Sequence, residues 1–270
     1  MKVVVTGASG KAGRAVARDL EEHGHEVVSV DLVAPSLLAD LTELGQAVEC
    51  LAGADAVVHL AAIPAPGIHT EETTFRTNML STFNVFEAAR VLGLRRVVWA
   101  SSETILGLPF DREQPAYAPI DEEHPPLPQS SYALSKVLSE ELGRQLYRRT
   151  RTPHVALRFS NIMEPEDYER FPSFWEDPTM RRWNLWGYVD VRDVAQSCRL
   201  ALEADVGAEH FMVAAADTVM NRPNAELMAE VYPSVPYRPT PGQFDTLLSI
   251  EKARRLLGYE PAWSWRSHVG

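Results

Sequence analysis

Cysteine is scarce in this chain: Cys50 and Cys198 are the only two in 270 residues. They stand apart and at no metal-binding spacing, so the pattern carries no thiolate metal site. They read as buried thiols of a reducing compartment, with a disulfide as the alternative. Positive charge is also scarce, with 26 Lys and Arg against 37 Asp and Glu and a net charge of -11. Nucleic acid needs a basic face, which excludes it as the main partner, although a local basic pocket remains open. Long apolar runs are missing too: no stretch reaches the roughly 18 residues of a membrane span. A strand pattern starts at Lys2 and leaves no room for a signal peptide. The expectation is a soluble, cytoplasmic protein with neither membrane nor nucleic acid as partner.

Apolar residues are plentiful. They make up 45% of the chain, enough for a sizeable core, and the length suits one large α/β domain or a domain with a smaller lobe. Lys2-Val3-Val4-Val5 runs into Thr6-Gly7-Ala8-Ser9-Gly10-Lys11-Ala12-Gly13, and a helical pattern follows. The first glycine permits a tight turn. The second lets main chain approach a pyrophosphate, and the third lets helix and strand pack closely. Gly7, Ser9, Gly10, Lys11, Ala12 and Gly13 thus present a helix N-terminus to a phosphate, the mark of a nucleotide binder.

Strand patterns over 2–6, 26–30, 55–62, 96–101 and 154–159 alternate with helical ones over 14–22, 41–51 and 72–92, and with a further helix capped by Ser130 or Ser131. Such βαβ units have right-handed crossovers and give a parallel sheet covered on both faces. The expected fold is α/β: a Rossmann-like, doubly wound parallel sheet with a small C-terminal substrate lobe. The nucleotide-binding domain is expected over 1–160. The lobe is expected over 161–270, interwoven with the first domain, with a helix near 190–202 packing back on the core. Ligands bind beyond the carboxyl ends of such strands, where Asp31, Ala61-Ala62 and Ser101-Ser102 fall. The proline-rich stretch 108–129 reads as a long loop of the kind that often forms a lid.

Asp31 lies eighteen residues after Gly13, at the end of the second strand. A carboxylate there accepts both ribose hydroxyls of adenosine and repels a 2′-phosphate, which favours NAD over NADP. Asp40 and Leu41 suit either the adenine edge or a helix cap. Tyr132 and Lys136 share a helix face. An ammonium beside a phenol favours the phenolate, so that Tyr132 can exchange a proton with a substrate hydroxyl near neutral pH.

In order and spacing, Thr6-Gly7-x-x-Gly10-x-x-Gly13, Asp31, His59-Leu60-Ala61-Ala62, Asn78, Ser101-Ser102 and Tyr132-x-x-x-Lys136 resemble the extended short-chain dehydrogenase/reductases, the NAD-dependent epimerase/dehydratase family. The resemblance covers roughly 1–161, with an echo at Gly187 to Val194. It implies NAD as cofactor, Tyr132 as general acid/base, Lys136 on the nicotinamide ribose, and Ser102 on the reacting oxygen with Thr104 as helper. It places Ser101 and Ala61 near the cofactor, with Asn78 supporting the site from the long helix. His59 reads as a core histidine.

Three departures stand out. Leu106 occupies the position of the epimerases' tyrosine, and Glu103 is a charge that either binds substrate hydroxyls or faces solvent. The family's Phe-Asn turn becomes Phe159-Ser160-Asn161, whose Ser160 and Asn161 are expected to face substrate. The segment up to Gly187 is short, and its Phe171, Phe174, Trp175, Trp183 and Trp186 form either a pocket wall or a core. Arg181 and Arg182 either clamp an anion or are solvated. Size and the Ser-Ser run are similar to uronate dehydrogenases. The resemblance thus implies an NAD-dependent oxidoreductase acting on a sugar, sugar acid or similar small polar substrate. The alternatives are a nucleotide-sugar 4-epimerase with tightly held NAD and a non-catalytic NAD sensor. The long helices are expected to form a homodimer interface, as in relatives.

Overall fold

A computed structural model describes residues 1–110 and 112–268. Strands β1 (Lys2–Thr6), β2 (Glu26–Asp31), β3 (Leu37–Leu38), β4 (Ala56–His59), β5 (Arg96–Ser102) and β6 (His154–Phe159) come first. Two short strands, β7 (Ile162–Met163) and β8 (Val189–Asp190), precede β9 (His210–Val213). Seven strands form one sheet in the order β3-β2-β1-β4-β5-β6-β9, with every pair parallel. The order reverses between β1 and β4, which opens a crevice at their carboxyl ends.

Alternation along each strand divides the core. Val3 and Val5 of β1, with Val58 and Val98, pack under α1 (Lys11–Glu22) and α5 (Val191–Glu203) through Val16, Leu20, Val194 and Cys198. Val4, Val57 and Trp99 point the other way. They meet α2 (Leu44–Leu51), α3 (Glu71–Leu92) and α4 (Ser131–Thr150) through Leu51, Phe86 and Leu146. Buried on both faces, the strands read as continuous apolar runs. Cys50 and Cys198 are buried free thiols, one in each layer, and burial pushes the Cys50 thiol up to about 11.

The sheet does not end where the first domain was expected to end. β9 pairs with β6, from Ala156↔His210 to Phe159↔Val213. The parallel sheet therefore draws its last strand from beyond residue 160. Besides β7, β8 and α5, the rest of that region holds 3-10 turns and the short helices α6 (Asn224–Val231) and α7 (Glu251–Leu257). The proline-rich loop is stitched down: Ala118 and Ile120 bridge to Tyr237 and Leu248, and Leu108, Phe110 and Ile120 are buried.

Candidate active site

Gly7 has φ +69°, and a Cβ there would lie 2.7 Å from the main-chain nitrogen of Ala61. A Cβ on Gly13 would lie 2.1 Å from the Gly7 carbonyl oxygen. A side chain at either position would force α1 away from the sheet. With both bare, the N-terminus of α1 opens on a cleft of about 1150 Å³ at the carboxyl ends of the strands. Gly7 and the run Ser9 to Gly13 line its inner wall, with Leu60, Ala61 and Ala62 opposite and Asp31, Asp40 and Leu41 at the outer end.

Asp31 closes β2, and its carboxylate accepts hydrogen bonds from the Ser9 and Leu32 main-chain N–H at 2.9 and 2.6 Å. Asp40 lines the cleft and does not cap α2, whose N-cap is Glu43. Its Oδ1 accepts from the Thr42 N–H at 2.9 Å and the Thr42 hydroxyl at 2.7 Å, just ahead of α2. Lys11 donates to Asp167 Oδ2 at 2.8 Å, and Arg14 pairs with Glu164 at 3.1 Å, tying the start of α1 to the turn after β7. Asn78 does not line the cleft. Its buried amide accepts from Ile63 N–H at 2.8 Å and donates to Ile63 C=O at 3.1 Å, which fixes the main chain that follows β4. His59 is a core histidine: Nδ1 meets the Thr6 hydroxyl at 2.8 Å, and burial pushes the ring down to about 3.

At the other end of the same cleft, β5 delivers Ser101, Ser102, Glu103 and Thr104, and the first turns of α4 deliver Tyr132 and Lys136. The Ser130 hydroxyl caps α4 by accepting from the Ala133 N–H at 3.1 Å. The Ser102 hydroxyl hydrogen-bonds the Tyr132 phenol, and accepts from the Thr104 hydroxyl at 3.0 Å. Lys136 Nζ donates to the Ala100 carbonyl at 2.7 Å and stands 5.6 Å from the Tyr132 ring centre. Burial pushes the phenol up to about 12, against the pull of the Ser102 bond, and pushes Lys136 down to about 8. The charge of Glu103 adds to the rise of the phenol, and the Lys136 ammonium lies over the face of its ring.

Glu103 does not face solvent. It is buried, with its carboxylate accepting from the Ser160 hydroxyl at 2.7 Å and from Asn184 Nδ2 at 3.2 Å, and burial pushes it up to about 7. Ser160 and Asn161 both line the cleft. A Cβ on Gly187 would lie 3.0 Å from Ser160 Oγ, so this glycine lets the lobe close on the Ser160 hydroxyl.

The arginine clamp is corrected: among the described residues lining the cleft, neither Arg181 nor Arg182 appears. The buried Arg181 guanidinium donates to the Gly187 carbonyl at 3.0 Å and stacks over Trp183 at 4.9 Å. Arg182 is half-buried, and its carbonyl accepts from the Tyr232 hydroxyl at 2.9 Å. The aromatic stretch is mostly core: Phe171 and Trp186 are fully buried, and Trp183 is the member that reaches the cleft.

Two partners escaped sequence reasoning. Asn184 holds Glu103. Glu140 accepts from the Ser101 hydroxyl at 2.6 Å and receives Arg158 through two nitrogens at 3.0 and 2.8 Å. A signal for Glu140 existed, since positions 132, 136 and 140 share one face of α4, and a charge on that face must meet the sheet. Arg158, alone in an apolar strand, called for such a partner.

A main-chain cradle at a helix N-terminus, leading to a strand-end serine and a buried Tyr-Lys pair, defines a dinucleotide-dependent oxidoreductase of the Rossmann class. The chain belongs to the NAD dependent epimerase/dehydratase family, whose model matches residues 3–214. It is an NAD-dependent enzyme, and the bare glycine cradle with Asp31 at its outer end fits that cofactor. It is similar to L-arabinose 1-dehydrogenase (NAD(P)(+)) of Haloferax volcanii, 26% identical over 96% of each chain. It is also similar to uronate dehydrogenase of Pseudomonas syringae pv. tomato, 28% identical over 64% of each. Among solved structures it resembles a UDP-galactose 4-epimerase, 27% identical, with a TM-score of 0.70 over 98% of this chain and 94% of that one.

Proposed function

We propose that this enzyme is a sugar dehydrogenase: it oxidises a carbinol carbon of a small sugar or sugar-like substrate, with Tyr132 as base. The observation that carries the reading is the continuity of the cleft, which runs from the glycine cradle to Ser102, Tyr132 and Lys136 without a break. NAD, when bound, supplies the hydride acceptor and one positive charge beside the phenol. Ser102 orients the substrate oxygen by hydrogen bond, and Thr104 holds Ser102. Tyr132 takes the hydroxyl proton as the carbonyl forms. Lys136, fixed to the Ala100 carbonyl, holds the nicotinamide ribose and adds a second positive charge. Asp31 receives the adenosine ribose hydroxyls.

The competing reading is a nucleotide-sugar epimerase, which the likeness to the UDP-galactose epimerase favours. The packing of Arg181 away from the cleft speaks against it, because a nucleotide diphosphate needs cations at that wall. Nicotinamide absorbance across a panel of sugars and sugar acids separates the two. Net NADH formation is expected from at least one of them. Interconversion of UDP-sugars with no net NADH replaces the dehydrogenase by the epimerase.

In the cell we place the enzyme in the reducing cytoplasm, consistent with its two buried free thiols, as a homodimer. α3 and α4 lie side by side and expose Leu80, Phe83, Leu134 and Leu138 on their outer faces. A second copy related by a two-fold axis would cover all four as a four-helix bundle. Sedimentation is expected to show twice the chain mass, and Phe83→Glu to halve it.

A further inference from the structure

Charge at the substrate end of the cleft is divided, with the Lys136 ammonium on the Tyr132 side and the Glu103 carboxylate beside Ser102. Glu103 is 3% exposed and lines the cleft beside Ser102. Two protein donors converge on its carboxylate: the Ser160 hydroxyl at 2.7 Å and Asn184 Nδ2 at 3.2 Å. A carboxylate offers about four acceptor sites, which leaves room for a donor from a ligand. The cation associated with it, Arg181, stands behind it. Its guanidinium is held by the Gly187 carbonyl and the rings of Trp183 and Phe174, and it does not line the cleft. A second carboxylate, Glu71, lines the mouth and accepts from the Ser131 N–H at 2.7 Å.

Among the described residues the lysines and arginines lining the cleft are Lys11 and Lys136. Lys11 lies at the glycine turn and is paired with Asp167; Lys136 is fixed to the Ala100 carbonyl, its ammonium on the Tyr132 side and assigned to the cofactor ribose. The remaining polar groups around Tyr132 are neutral: Ser102, Thr104, Gln129, Ser130, Ser160 and Asn161.

Building on the dehydrogenase reading, we infer that Glu103 makes the site selective for a neutral, hydroxyl-rich substrate, an uncharged aldose or polyol, over one bearing a carboxylate or phosphate. A sugar hydroxyl donates to a free acceptor site of Glu103. An anionic group in that place meets a buried negative charge with no cation on its own side. At an effective dielectric of about 20, repulsion between two such charges in near contact is worth roughly a hundredfold or more in binding, part of which Arg181 offsets. Selection here works by repelling the wrong ligand as much as by holding the right one.

The test is a set of neutral aldoses assayed beside the uronates and aldose phosphates of the same configuration, at pH 8.5, by NADH absorbance. Wild-type enzyme is expected to favour the neutral member in kcat/KM by about tenfold or more. Glu103→Gln should narrow that ratio about tenfold, while Glu103→Asp, which keeps the charge, should preserve it. Should Glu103→Gln fail to fold, competitive inhibition of the wild type gives the same answer, a uronate binding about tenfold more weakly than its parent sugar. A wild type that oxidises the uronate as well as the sugar, or a ratio unmoved by Glu103→Gln, overturns the selectivity and leaves the dehydrogenase standing. Epimer exchange of UDP-sugars without NADH from any member overturns the dehydrogenase and the selectivity together.

Discussion

The two arms of the cleft are built by different means. The cofactor arm is made largely of main chain: Gly7 and Gly13 let backbone meet backbone, and its residues come from the ends of the first strands, between positions 7 and 62. Its charges, Asp31 and Lys11, stay at the surface with simple partners. The substrate arm is made of side chains gathered from residues 102 to 187. Its charges are buried, and each must be matched: Lys136 by a carbonyl, Glu103 by Ser160 and Asn184, and Arg158 below the floor by Glu140. An arm that binds an invariant dinucleotide can rely on backbone geometry. An arm that recognises a particular substrate needs polar side chains in a dry setting, and desolvation makes every one of them dependent on its neighbours.

Four measurements bear on this contrast. Tyr132→Phe removes the proton acceptor from the substrate arm alone. Turnover is expected to fall about 10³-fold, with NAD affinity by fluorescence titration within about twofold of wild type. An equal fall in NAD affinity would mean the arms are not separable. Next in size, Glu140→Ala strands the buried Arg158 and the Ser101 hydroxyl. It should destabilise the fold by about 3 kcal/mol or more in urea, well beyond a change at the half-exposed Lys11–Asp167 pair.

The third concerns pH. Burial raises the Tyr132 phenol, so its phenolate, the form that accepts the proton, is the minor species at neutrality. Oxidation should therefore accelerate by up to about tenfold per pH unit from pH 6 upward, until the phenol titrates in the complex. A rate flat from pH 6 to 9 would remove Tyr132 as the base. Smallest, Asp31→Ala on the cofactor arm should weaken NAD about tenfold by dissociation constant and improve NADP relative to NAD. An unchanged NAD:NADP ratio would assign cofactor choice elsewhere.

The same contrast governs what could be read before any coordinates. The sheet was legible because its strands are apolar runs punctuated by glycines and caps: Gly7 and Gly13 named the turn, and Ser130 or Ser131 the start of α4, which the structure resolves to Ser130. Tyr132 and Lys136 were visible as a pair on one helix face. Glu103 was visible as an anomaly, but not whether it turned inward, because that depends on Ser160, Asn184 and Gly187, far along the chain. Arg181 failed as a clamp for the same reason: nothing local says that a guanidinium will lie against Trp183 instead of in the cleft. Asp40 stood divided between the adenine edge and a helix cap, and the cap of α2 falls instead to Glu43, three residues on. The strand at 210–213 is only four residues long and carries no turn signature, so its return to the sheet escaped local pattern altogether.

That late strand has a practical meaning for anyone dissecting the molecule. A fragment cut after residue 160 would contain the glycine turn, Asp31, Ser102, Tyr132 and Lys136, every group proposed here for cofactor and proton transfer. It would also leave β6 with a bare edge, an unpaired row of main-chain donors and acceptors flanked by Leu157 and Phe159, which the complete chain seals with β9. Such a fragment is a template for aggregation, so the smallest soluble unit that holds the catalytic groups must run at least through Val213.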